Sequence, residues 1–231
     1  MRWRTGLLVA AALLVTQAAH AAGEHPWLAV YGVGSTYGMS DLNSEIDAFN
    51  TANAGSGVSF PHVDNGMSLG GAVGFETATK WNFGFGMDRL EAHTKAGDAS
   101  GSLEYRLGAN GWRAFAEYAL APVGQSGIFI GGSAGFVQEK GHVIMSQPGY
   151  EPLKLATSGN APMFEGYAGG NWWVTSRFAV TATAGYRYAR IKEFKVEDQT
   201  FLMSNGDAMS LNFSGPSVRI GLKLASSIIS D

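Results

Sequence analysis

The chain has 231 residues, enough for one domain with a substantial core, and formally carries a net charge of −3 with histidine neutral. Its charges are few, at 15% of residues, and scattered, which argues against a nucleic-acid partner needing a basic patch. The absence of cysteine excludes a disulfide framework. The N-terminus reads "MRWRTGLLVAAALLVTQAAHAA": Arg2 and Arg4, an apolar run from Gly6 to Val15, then Ala19-His20-Ala21. That is the layout of a secretory signal peptide over residues 1–22, too short to span about 30 Å of hydrocarbon, so residues 23–231 are expected to form the mature domain. Without Arg2 and Arg4 it keeps 14 basic against 19 acidic residues.

The strand candidates follow in chain order. Trp27 to Tyr37 is the first, and Gly66 to Thr77 and Asn82 to His93 form a pair about "ATKW". Ser102 to Leu120 is the fourth and Gly127 to Gln138 the fifth. Pro162 to Val174 and Phe178 to Ile191 form a hairpin about "TSR", and Leu211 to Leu224 closes the series. Eight strands of this length each reach the roughly 9–11 residues of a tilted membrane strand. Short turns alternate with mostly long polar loops, and an even strand number places both termini at the short-turn end.

Facing follows from a period of two. In the last strand Val218, Ile220, Leu222 and Leu224 oppose Ser217, Arg219, Gly221 and Lys223; in the seventh, Val180, Ala182, Ala184 and Tyr186 oppose Thr181, Thr183, Gly185 and Arg187. The polar set is small residues with a few charges, suited to a narrow lumen. A soluble barrel would need the reverse arrangement and a densely charged exterior. Glycine, 32 of 231 residues, about twice the usual share, fits a crowded, tightly curved sheet. The expected fold is all-β: an eight-stranded antiparallel up-and-down transmembrane barrel with lipid outside.

In the fourth strand the parity breaks, because Leu103, Tyr105 and Leu107 share one face and Trp112, Ala114, Tyr118 and Leu120 the other. Either a β-bulge at Gly108 to Gly111 restores the outward set, or the outer half lies above the membrane and obeys no lipid rule. Trp27, Trp81, Trp172 and Trp173 lie near the turn end, as in an interfacial girdle.

The inward parity collects Glu76, Asp88, Glu104, Arg106, Arg113, Glu117, Glu165, Arg187, Arg219 and Lys223. An eight-stranded barrel is only just wide enough for side chains, so a paired polar core closing the lumen is expected ahead of an ion or solute path. Catalysis finds little support. No histidine has metal-ligand spacing, and His93 beside Glu91 or His142 after Glu139 comes nearest to a lipid-modifying site. In "SDLNSEIDAFNTA", Leu42, Ile46 and Phe49 recur at i, i+4 and i+7, with Ser40 or Asp41 as N-cap, which predicts a short amphipathic helix: a lid, or packing within a long loop. The loop containing Pro148, Tyr150 and Pro152 offers a recognition surface without a motif that names a partner.

From Trp27 to Leu224 the chain resembles the small eight-stranded outer-membrane barrels, the group containing OmpA-like, OmpX-like, OmpW-like and opacity-type proteins. The resemblance rests on the signal peptide, the alternating strands, the loop asymmetry and the closing strand "GPSVRIGLKL". It implies an outer-membrane monomer embedded in lipid and lipopolysaccharide, inserted by the outer-membrane assembly machinery, without cofactor or catalytic residues, serving an envelope structural or surface-interaction role. A narrow conduit for small hydrophobic molecules and a lipid-modifying enzyme are the alternatives. Such families usually finish the last strand on an aromatic residue, whereas here Leu222 and Leu224 stand in the key positions and "ASSIISD" follows.

Overall fold

The computed structural model describes residues 25–55, 57–98, 101–123 and 126–225. The expected signal peptide lies outside them. The strands are β1 (His25–Thr36), β2 (Asn65–Glu76), β3 (Trp81–Asp98), β4 (Gly101–Val123), β5 (Ser126–Ser146), β6 (Leu153–Trp173), β7 (Phe178–Ile191), the short β8 (Lys195–Val196), β9 (Gln199–Thr200) and β10 (Leu211–Asn212), and β11 (Gly215–Ala225). One helix, α1, spans Ser40–Ala52. Eight strands pair antiparallel with their chain neighbours, and β11 closes onto β1 through Trp27 with Ala225 to Ser35 with Ser217. The barrel therefore has no open edge within the ring, the condition for spanning a bilayer with strands.

β3, β5 and β6 are much longer than the sequence pattern suggested, and β4 only slightly. Much of the expected long loops continues as strand, so that Thr94 to Asp98 and "EKGHVIM" belong to two projecting hairpins. Alternation persists there, but its sense inverts. The cross-strand row Met87, Trp112, Phe136 and Pro162 points outward, and the next outward row up is Arg89, Asn110, Gln138 and Asn160. Below this step the outward residues are apolar: Leu69 is 76% exposed, Ile220 61% and Tyr186 58%. Above it the apolar residues turn in, and Leu107 is 2% exposed.

The step explains β4. Its register with β3 runs unbroken from Gly101 to Tyr118, so there is no bulge at Gly108 to Gly111; the irregularity falls between Ala119 and Ala121 instead. Trp112 and Leu107 lie on opposite faces because the solvent outside changes from lipid to water between them.

Glycine makes room for the lumen's aromatics. A Cβ at Gly74 would meet the Trp27 ring, at Gly84 Phe115, at Gly169 Phe129, and at Gly131 or Gly185 Tyr167. At Gly135 it would fall on the Trp112 carbonyl, a backbone obstacle that cannot rotate away.

Candidate functional site

The lumen is filled in three storeys. At the short-turn end, the Trp27 indole N–H donates to Asn82 Oδ1 at 2.7 Å, Asn82 Nδ2 to Glu117 Oε2 at 2.6 Å, and the Tyr167 hydroxyl to Glu117 Oε1 at 3.0 Å. The Lys223 ammonium lies 4.4 Å from the centre of the Trp27 ring, a cation–π contact. Above this floor is a cavity of about 50 Å³, whose walls include Phe115, Phe129, Asn171 and Thr183.

The middle storey crosses the whole barrel. Arg219 of β11 donates from Nη2 to Asp88 Oδ2 of β3 at 2.5 Å and from Nη1 to Glu165 Oε1 of β6 at 2.8 Å. Tyr31 of β1 donates to Asp88 Oδ1 at 3.0 Å and accepts from Arg113 Nη2 of β4 at 2.9 Å, while Ser217 donates to Glu165 Oε1 at 2.7 Å. Every one of these charged groups is buried. Removed from water, they are compensated by each other and by the Tyr31 and Ser217 hydroxyls.

The top storey is apolar, where a paired polar core was expected throughout the lumen. Leu90, Leu107, Val137, Met163 and Ile191 point inward, and α1 covers them with Leu42 and Ile46. Phe49 of α1 meets Phe60 edge-on at 5.0 Å, and Phe60 meets Tyr105 at 5.9 Å. The segment after β7 folds back over the mouth: Glu197 and Asp198, both at positive φ, make the two-residue turn between β8 and β9, and β8 pairs with β6. Phe194, Met209 and Phe213 from this segment are fully buried in the same core. Within the storey, buried Glu139 accepts from Thr157 at 2.8 Å, and its second oxygen has no partner among the described residues.

The lid is fastened by side chains on the polar edge of α1. Asp41 accepts from the Ser210 N–H at 3.1 Å and hydroxyl at 2.5 Å, and Glu45 accepts from the Ser204 N–H and hydroxyl, both at 3.0 Å. Asn43 and Asn50 hold the returning chain at Val63 and Phe60. Partial burial acts to raise the Asp41 pKa, but the Ser210 and Ser40 hydrogen bonds and the Arg190 charge outweigh it, so the carboxyl lies below its ordinary range. Neither Ser40 nor Asp41 caps the helix: Met39 occupies the N-cap position without a side-chain hydrogen bond, the Ser40 hydroxyl donates to Asp41 Oδ1 at 3.3 Å, and the other Asp41 oxygen is turned to Ser210.

Asp88, Arg113, Glu117, Glu165, Arg187, Arg219 and Lys223 all face the lumen, with Glu76 on the inward side of β2 near its end. Glu104 and Arg106 do not. They lie on the outward face of β4 above the lipid step, Arg106 pairing with Glu104 and His93 meeting Glu104 at 2.8 Å. Placing them inward followed from assuming a bulge that the strand lacks. Of the four tryptophans, Trp81 and Trp172 are exposed at the rim, but Trp27 points inward onto Asn82 and Trp173 packs against the same inner cluster. His142 and Glu139 lie on opposite faces of β5, and His93 has taken Glu104 rather than Glu91. Among the described residues, no three His, Cys, Asp or Glu side chains converge as a metal site.

No protein-family model matches the chain, and no curated protein does. Among solved structures it is similar to the outer membrane protein OprG from Pseudomonas aeruginosa, at 9% identity and a TM-score of 0.48 over 87% of this chain and 93% of that one. Neisserial surface protein A is similar at 11% identity and TM-score 0.45, covering 87% and 96% of the two chains. Ail, the attachment invasion locus protein of Yersinia pestis, is similar at 10% identity and TM-score 0.44, covering 87% and 98%.

Proposed function

We propose that the protein is a monomeric integral outer-membrane barrel that neither conducts nor catalyses, and that acts as an envelope structural element presenting a folded head outside the cell. The observation that carries this reading is the filled lumen. The Asp88–Arg219–Glu165 bridge spans it within the apolar belt, and the core under α1 fills it above. A conduit for small hydrophobic molecules needs an apolar lumen open to the side, which three buried arginines and two carboxylates oppose. A lipid-modifying enzyme would have to use His93 or His142, and both flank Arg106 on an open strand face.

Lipopolysaccharide is the partner that suits the outward face above the lipid step. Arg89, Lys95, Arg106, Lys140 and Lys154 project there from β3 to β6 against Glu91 and Glu104, a positive surface on an acidic chain at the height of anionic headgroups. Insertion through the outer-membrane assembly machinery would then proceed with aliphatic Leu222 and Leu224 in its last strand. The test is fractionation of expressing cells with electrophoresis before and after boiling, followed by planar-bilayer recording. We expect a heat-shifting band in the outer membrane and no stable open level; a large, stable conductance would overturn the sealed reading.

A further inference from the structure

The middle storey contains three guanidinium groups and two carboxylates, and the carboxylates are already engaged. Asp88 takes Arg219, Tyr31 and, at 3.6 Å, Arg113, and Glu165 takes Arg219 and Ser217. Arg187 is the remaining cation. Its side chain is fully buried, its Nε–H donates to the Phe213 carbonyl at 3.2 Å, and neither Nη atom has a hydrogen-bond partner among the described residues. Glu165 is its cross-strand neighbour on β6, yet both Glu165 oxygens are turned to Arg219, and Arg187 forms no ion pair with a described residue.

On its other flank small residues stand beside the buried Tyr37 ring, which packs edge-on against Phe213 at 5.3 Å. The register partner on β11 is Gly215, the next inward residue there is Ser217, and Ser35 of β1 pairs with Ser217. Ser35 Oγ is likewise buried and without a partner among the described residues. Unmatched donors on two successive inward rows and one surplus positive charge therefore lie in one buried layer, and a buried charge persists only when compensated. We infer that a small monovalent anion of halide type binds beside Arg187, held by its two Nη groups and the Ser35 hydroxyl. One negative charge neutralises the layer; a dianion would overshoot it.

The test uses the purified, folded full-length barrel in detergent. Its thermal unfolding is followed in sodium chloride and in sodium gluconate at equal ionic strength. Chloride should raise the midpoint saturably, by about 3–6 °C at ten times its dissociation constant, and Arg187→Met should abolish that dependence. Crystals soaked in bromide should show an anomalous peak against the Arg187 Nη atoms. Equal midpoints in the two salts, a chloride effect that survives in Arg187→Met, or no bromide peak there would each overturn the site. If the variant does not fold, the wild-type salt comparison and the bromide map decide alone.

Discussion

The two ends of the barrel obey opposite rules. Within the lipid belt, Ile220 and Tyr186 point out while Arg219 and Arg187 point in; above Arg89, Asn110, Gln138 and Asn160, Leu90 and Leu107 point in while Arg106 and Lys140 point out. β3 to β6 carry both patterns without a bulge in the stretch where the change occurs. The hydrophobic effect acts in both regions, and only the exterior solvent differs. A strand that leaves a membrane still hydrogen-bonded thus becomes part of a water-soluble barrel, and it needs an apolar core and a cover. α1 and the 192–214 segment supply that cover.

Breaking the charged storey should cost most. Arg219→Met removes the partner shared by Asp88 and Glu165 and leaves two buried carboxylates, a loss of about 3–5 kcal/mol in the stability of the folded barrel, read as the heat-modifiability midpoint. Next comes the apolar storey, where Leu107→Ala should cost about 2–5 kcal/mol through its cavity while Arg106→Ala, one residue away and exposed, should change stability by less than about 0.5 kcal/mol. If the two costs were equal, the inversion would be wrong.

The lid comes third. Asp41→Asn should weaken the clasp by about 1 kcal/mol, raising protease cleavage of the 192–214 segment without lowering the barrel's unfolding midpoint. Because the folded Asp41 pKa is depressed, its contribution is present above the ordinary carboxylate value and disappears as pH falls through the lower folded value. Acidification should therefore open the lid in the wild type, and Asp41→Asn should lose that pH dependence. His62 gives the smallest effect. Its pKa is raised by the hydrogen bond and charge of Asp47, so it stabilises the first loop below its ordinary pKa and ceases to do so as pH rises through the higher folded value. Proteolysis of that loop measured across neutral pH, with and without His62→Ala, checks the sign.

What the sequence disclosed and withheld follows the same division. Inside the belt, alternation fixed the facing of Asp88, Glu165, Arg187 and Arg219, because one lipid-facing rule applied throughout. The helix was also legible, since Leu42, Ile46 and Phe49 recur at helical spacing. Glu104 and Arg106 were misplaced because the parity of apolar residues alone cannot distinguish a one-residue slip from a change of solvent. Trp27 resembled a girdle residue by position, and its inward turn depends on Asn82 and Gly74, which lie far off in sequence. The lid's fasteners, Asp41 to Ser210 and Glu45 to Ser204, join residues more than 150 apart, beyond any local pattern.

A chain without cysteine permits a direct test of the inversion. Single cysteines at Arg106, Leu107 and Trp112, in barrels reconstituted in bilayers, would be probed with a water-soluble thiol reagent and with a lipid-borne quencher. The predicted result is labelling from water at 106, protection from both probes at 107 and quenching from lipid at 112. Labelling at 107 with protection at 106 would contradict the account and place a bulge between Gly108 and Gly111 after all.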